Sequence, residues 1–139
     1  MSVIRRAGSA LLVLLGLSLP LSAAKAQPGA CSNKTLKGTY LYSIDGIDAG
    51  QPYAESGMET FFGDGNLLSR YTENQSKIPK TSRAVYQIEP NCHGTIRYDY
   101  GSVYEIYVSP DGSSYSYVRT QPSGAVSGIE HRVTKQLIQ

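Results

Sequence analysis

Tryptophan is absent from the 139 residues, and cysteine, histidine, methionine and phenylalanine occur only twice each. Two histidines, with no Cys-x-x-Cys or His-x-x-His spacing, leave no zinc-site pattern. No Gly-x-Ser-x-Gly elbow, P-loop or dinucleotide fingerprint is present, which removes the hydrolase, phosphate-binding and nicotinamide chemistries that depend on them. Carboxylates cannot be paired at glycosidase-like positions, and no motif supports a haem ligand from His131 or a tyrosine. Neither a metal nor a cofactor is expected. Positive charge is scarce once the first 26 residues are set aside, because Arg5, Arg6 and Lys25 go with them. Ten Lys and Arg then face eleven acidic residues, a balance of −1. The cations are also dispersed, so neither nucleic acid nor a phosphate-rich surface is an expected partner.

Those first residues read as an export signal. Arg5 and Arg6 precede a short apolar run from Ala10 to Leu21, and Ala24-Lys25-Ala26 supplies a small-residue cleavage site. The run is too short to span a bilayer comfortably, and Pro28 stands where a lipoprotein site at Cys31 would want an aliphatic residue. The expectation is a soluble periplasmic or secreted protein, cleaved after Ala26, with no stable membrane anchor. The two triplets Asn33-Lys34-Thr35 and Asn74-Gln75-Ser76 fit a glycosylation pattern, but behind a leader of bacterial type they read as turn residues. In an oxidising compartment Cys31 and Cys92 are expected to pair, closing a loop of 61 residues.

What is abundant is tyrosine, eleven in all, together with fourteen glycines. No stretch beyond the leader keeps a helical apolar period, and Gly or Pro recurs every eight to twelve residues. This spacing predicts an all-β protein, with strands near 38–45, 53–62, 67–74, 82–88, 94–99, 102–109, 114–120 and 126–134. Gly63-Asp64-Gly65-Asn66, Asn91-Cys92-His93-Gly94 and Pro110-Asp111-Gly112 carry hairpin chemistry. Eight strands joined by tight turns favour an antiparallel up-and-down barrel over residues 38–139, which removes exposed edges. A two-sheet sandwich is the alternative.

Alternation divides the strand residues between two faces. One parity collects Tyr40, Tyr42, Ile44, Met58, Phe62, Leu67, Tyr71, Ala84, Tyr86, Ile88, Ile96, Tyr98, Tyr104, Ile106, Val108, Tyr115, Tyr117, Ile129 and Val133. The other collects Glu55, Glu59, Arg70, Arg83, Arg97, Asp99, Glu105, Glu130 and Arg132. A buried unpaired charge is costly, so the first set is expected inside and the second outside. Bulges at Gly57 or Gly128 would flip part of a strand. In a meander, the turn holding Cys92 lies at the same end as the start of the first strand. Residues 27–37 are therefore expected to fold across that end, pinned by the disulfide. The loops near 46–52, 75–81, 99–101 and 121–125 lie at the other, open end.

Eight tyrosines on the inward face need hydroxyl partners, so the interior is either packed and internally hydrogen-bonded or a pocket with room for one small ligand. Candidate ligand contacts are Tyr42, Tyr71, Tyr98, Tyr104, Tyr117 and Arg119. Glu73, Arg119 and His131 break the segregation of charge and are the candidate catalytic residues. Glu73 and Arg119 fall near the open mouth, and an inward Arg can bind a carboxylate or polarise a carbonyl. Their bland reading is strand-end residues reaching water. His131 is expected near the closed end beside Tyr40, and His93 in a solvated turn.

Several segments together touch most of the chain beyond the leader: Leu36-Lys37-Gly38-Thr39-Tyr40, Gly63-Asp64-Gly65-Asn66-Leu67, the stretch Tyr86 to Thr95, Tyr104-Glu105-Ile106-Tyr107-Val108, and Gly128 to Val133. In them the chain resembles a group of small exported bacterial proteins. The resemblance implies a calycin-like barrel, similar to lipocalins and to the allene oxide cyclase barrel, but brings no catalytic residues with it. The Gly-x-Trp signature of lipocalins proper is missing.

Three functions follow as expectations. The first is binding of a small aromatic or amphipathic molecule inside the barrel. The second is a cofactor-free cyclase, isomerase or lyase using Arg119, Glu73 and Tyr98 or Tyr104, which would work by positioning and desolvation and leave little motif. The third is an envelope protein-interaction module acting through an outer patch of Leu41, Phe61, Leu68, Val85, Val103 and Tyr107, with a homodimer as its signature.

Overall fold

In the computed structural model, which describes residues 31–139, the alternating segments form eight strands. These are β1 (Lys37–Asp48), β2 (Gln51–Phe62), β3 (Asn66–Glu73), β4 (Lys80–Ile88), β5 (His93–Tyr98), β6 (Val103–Val108), β7 (Ser114–Gln121) and β8 (Gly124–Thr134). Each pairs antiparallel with its sequence neighbours, and β1 also pairs with β8, which closes an up-and-down barrel. This is the expected architecture, consistent with a calycin-like fold; the sandwich is not formed. The leader, its cleavage after Ala26 and the part of the cap before Cys31 lie outside the described residues. Among the described residues no helix is long and apolar enough to cross a membrane.

Where a loop was expected over 46–52, β1 and β2 instead run on and meet through Ala49-Gly50. Both of those residues have positive φ, 48° and 77°. A two-residue turn of this kind matches the twist of a hairpin, and it sets the register of the two longest strands. The turns containing Gly63, Cys92 and Gly112 gather with the start of β1 at one end. The other end carries the turns at Ala49-Gly50, 74–79, 99–102 and 122–123.

The first end is closed. Cys31 and Cys92 are bonded, with Cα atoms 4.9 Å apart. A single 3-10 turn, Asn33–Thr35, leads into Leu36, which is fully buried. The Asn33 side chain accepts a hydrogen bond from the Ile88 amide at 2.8 Å. The Tyr86 hydroxyl accepts from the Gly63 amide and donates toward the Asn33 and Leu36 carbonyls. Above this plug Tyr40, Phe61, Tyr86 and Tyr115 pack edge to face, with centroids 5.0–5.8 Å apart. Thr39 and Thr60 are buried beneath the C-terminal segment, bonding the carbonyls of Gln136 and Ile138.

The long strands must coil tightly, and glycines on their inward face allow it. A Cβ on Gly57 would meet Tyr71 Cα and Cβ at 2.9 Å and the Arg70 carbonyl oxygen closer still. Gly57→Ala is expected to destabilise the barrel by about 1–3 kcal/mol, because the obstruction is neighbouring backbone. Urea unfolding of the variant checks this, and an unchanged midpoint would show that β2 and β3 can separate freely.

Two strands show their faces the other way round from the expectation. On β2, Glu55, Glu59 and Phe61 turn inward while Met58 and Phe62 do not. On β8, Val126 and Glu130 turn inward, Arg132 is half-buried, and Ile129 and Val133 are exposed. No bulge at Gly57 or Gly128 is responsible. The register irregularities lie at Thr39/Tyr40 and Val103/Tyr104. The cause is pairing: Tyr40 stands opposite Glu59 and Arg132, and Tyr42 opposite Gly57 and Glu130. Directly opposed residues share a face. Once the two tyrosines of β1 point inward, those partners must follow.

Candidate functional site

The inward faces of all eight strands meet in a polar-aromatic interior. Tyr40, Tyr42, Tyr86, Tyr104, Tyr115 and Tyr117 are buried, and Tyr71 and Tyr98 pack against them as partly buried neighbours. Tyr53 of β2 joins this set, although alternation had not placed it there. Toward the mouth the rings form a chain. Tyr100 stacks on Tyr98 at 5.1 Å, Tyr98 meets Tyr104 edge-on at 5.5 Å, and Tyr104 meets Tyr117 at 5.7 Å.

Between the rings lie three carboxyl groups. Glu59 is 1% exposed and accepts hydrogen bonds from the hydroxyls of Tyr98 and, at 2.8 Å, Tyr115. Glu55 accepts from Tyr42 and Tyr53. Glu130 is 3% exposed, and its Oε2 has no hydrogen-bond partner among the described residues. Burial pushes the Glu59 carboxyl up to about 7, against the lowering effect of the tyrosine donors. Burial and the neighbouring Glu59 charge hold Glu130 well above the carboxylate range, and burial also raises Glu55. The tyrosines respond in kind: burial carries Tyr104 to about 12 and Tyr42, Tyr98, Tyr115 and Tyr117 higher, so they remain hydrogen-bond donors.

These carboxyls sit where charge was not expected. Segregation of charge failed for Glu55, Glu59 and Glu130 because two things offset the cost of burial. Tyrosine hydroxyls solvate the oxygens, and protonation removes the charge where solvation falls short. The sequence signal that would have found Glu55 and Glu59 is the Ala49-Gly50 turn, which sets β2 against β1, whereas Glu130 is placed by the pairing of β8 with β1 that closes the barrel. Ala-Gly lacks the familiar Asn-Gly signature, so it passes as loop.

The interior is nearly full. The cavity among Tyr42, Glu59, Tyr98, Tyr104, Tyr117 and Glu130 is about 20 Å³, enough for one water-sized group. Tyr117 is among its lining residues, and its hydroxyl, like Glu130 Oε2, is buried with no hydrogen-bond partner among the described residues.

The candidate catalytic residues do not converge. Arg119 is 7% exposed at the mouth and bonds Asp48 at 2.5 Å, with Tyr104 opposite it on β6. Glu73, partly buried on β3, pairs with Lys80. His131 is exposed on the outer face opposite Leu41, and Arg132 takes the place beside Tyr40 expected for it. The shift is the same one-residue change of parity that turns Glu130 inward. His93 is not free in its turn; its Nε2 lies 2.8 Å from Glu105. On the outside, Leu41, Val85 and Tyr107 are exposed and Leu68 is half-buried, whereas Phe61 and Val103 are buried. The expected outer patch is therefore broken.

Fold and site together define an eight-stranded antiparallel barrel, calycin-like in form, plugged at one end and lined by tyrosine and glutamate. No family model matches this chain, and no curated protein is detectably similar to it.

Proposed function

We propose that this is an exported small-ligand-binding barrel, whose ligand enters at the open end and is held by the tyrosine-lined interior. The observation that carries the reading is the asymmetry of the two ends. Leu36, the disulfide and the Tyr40–Phe61–Tyr86 cluster stop one end, while the ring chain from Tyr100 to Tyr117 leads in from the other. Tyr100, 52% exposed, stands at the entry. A small aromatic or amphipathic molecule suits such a wall, since tyrosine offers both a ring face and a hydroxyl. The deep cavity accepts only a water-sized group, so the body of the ligand rests at the mouth, against Tyr71, Tyr100 and Tyr104. Export is supported by the Cys31–Cys92 bond, which persists in an oxidising compartment such as the periplasm or the extracellular medium. Binding is preferred over catalysis because Arg119 and Glu73 are each held by a different partner, Asp48 and Lys80.

A thermal-shift screen of phenols, fatty acids and terpenoids tests the reading. A ligand present at a hundred times its Kd stabilises by about 2.7 kcal/mol, a rise of several degrees in Tm for a domain of this size. The Tyr104→Ala variant is expected to lose that rise. No shift with any class would overturn the proposal.

A further inference from the structure

We propose that the plugged end of the barrel carries a second site, for a small, hydrophilic, multiply charged oxyanion of the phosphate type, held by Arg132, Lys34, Lys37 and Lys135. It lies away from the open mouth and stands whether or not a ligand binds there. The cations are dispersed along the sequence, but the fold gathers these four around one cleft of about 470 Å³, completed by Thr35, Pro110 and Asp111. Lys34 comes from the 3-10 turn, Lys37 from the start of β1, Arg132 from β8 and Lys135 from just beyond it. Among the described residues the ion pairs use other cations, Lys80, His93 and Arg119. The one carboxylate in the cleft, Asp111, is turned to its own loop, where it accepts from the Ser113 amide at 3.0 Å and hydroxyl at 2.8 Å.

Arg132 is the positioned member of the group. Its side chain is half-buried and passes between two glycines. A Cβ on Gly38 would lie 3.1 Å from its Cδ, and one on Gly112 3.2 Å from its Nη1. Its Nη2 donates to the Asp111 carbonyl at 3.2 Å, and its amide to the Ser113 carbonyl at 2.8 Å. The Tyr40 hydroxyl ties down the same turn by donating to the Gly112 carbonyl at 2.6 Å. The guanidinium is thus held against the turn before a ligand arrives, with further N–H donors to offer. Less side-chain freedom is then lost on binding.

Charge and lining narrow the ligand. Four cations beside one carboxylate repel each other and focus a positive potential in the cleft, which a counter-ion relieves. A guanidinium grips two oxygens of one anion, and the ammonium groups add point charges. A monocarboxylate leaves most of that charge unmet, so an anion of charge two or more fits better. No aromatic ring and no large aliphatic side chain lines the cleft. A nucleic-acid base has nothing to stack on there, and a lipid tail has no wall to lie against. A soluble phosphate ester or pyrophosphate is the class that remains.

Calorimetric titration of the full-length chain with inorganic pyrophosphate, and with acetate as the monoanion, tests the site. Pyrophosphate is expected to bind about ten-fold or more tightly than acetate, and more weakly as salt is raised. The double variant Lys34→Gln/Lys135→Gln changes only exposed side chains and is expected to weaken pyrophosphate about ten-fold or more. Arg132→Lys keeps the charge but loses the fork, and a several-fold loss is expected there. Removing the same charge elsewhere, by Arg83→Gln/Arg97→Gln on the outer face of β4 and β5, is expected to leave binding unchanged. Equal losses in the two double variants, or none in Lys34→Gln/Lys135→Gln, would overturn the proposal, as would the lack of saturable pyrophosphate binding. Sedimentation with phosphatidylglycerol vesicles, against phosphatidylcholine vesicles, separates the sources of the anion. Retention on the first without binding of pyrophosphate would assign the patch to a membrane surface and overturn the soluble ligand.

Discussion

Replacing Cys31 and Cys92 together by Ala is expected to cost about 4 kcal/mol of stability, and to lower Tm by roughly 20 °C. The bond spans 61 residues. Cross-linking ends that far apart removes a large share of the unfolded chain's freedom, and the loss grows with the logarithm of loop length. The native side of the balance adds to it. Cys31 anchors the segment that carries Asn33 onto the Ile88 amide and Leu36 into the base of the barrel. Without the bond that segment is free to fray, and the Tyr86 hydroxyl loses the carbonyls of Asn33 and Leu36. Urea unfolding of the double variant, compared with the parent under non-reducing conditions, measures the difference. A loss below about 1 kcal/mol would show that the polar contacts of the plug hold it unaided, against the loop-entropy account.

Stability is also expected to fall as the pH rises from 5 to 8, the reverse of what salt-bridged surface carboxylates produce. Glu59, Glu130 and Glu55 all have folded-state values above the ordinary 4.5, with burial as the largest cause. A carboxyl whose value is raised on folding binds more protons in the native state than in the unfolded chain. Its contribution is therefore full below the unfolded value and is lost as the pH rises toward the folded one. For Glu59 that window runs from 4.5 to about 7. Within its window each such group costs about 1.4 kcal/mol per pH unit. The exposed Asp64 and Asp111 act oppositely. Both are lowered by hydrogen bonds within their turns, Asp111 to about 2, so what they contribute is lost only in stronger acid. The maximum should thus lie near pH 5. Urea midpoints at pH 5 and 8 test this, and Glu59→Gln, which mimics the protonated side chain, should narrow the gap between them. A flat profile would mean that the interior carboxylates are ionised and compensated at both pH values.

The all-β class, the eight strands and their meander order were legible because they rest on local signals. Glycine-bearing turns recur at hairpin spacing, and alternation marks each strand. The pairing of Cys31 with Cys92 followed from the presence of two cysteines in an expected oxidising compartment, and the end of the barrel that it closes followed from the meander order. The inward direction of Tyr40, Tyr42, Tyr86, Tyr98, Tyr104, Tyr115 and Tyr117 was legible for the same reason, since apolar and aromatic residues dominate one parity of their strands.

On β2 and β8 that logic met its limit. Both parities there carry apolar residues: Met58 and Phe62 against Phe61, and Ile129 and Val133 against Val126. Local alternation is then ambiguous, and charge looked decisive when it was not. Composition, periodicity and loop chemistry thus settled the strand count, the connectivity and the plugged end. Only the tertiary structure decided which face of β2 and β8 is buried, and hence that Glu55, Glu59 and Glu130 share the interior with the tyrosines while His131 faces water. Strand direction is a property of one segment. Register, and the solvation of a buried carboxyl by hydroxyls from other strands, exist only once the barrel has closed.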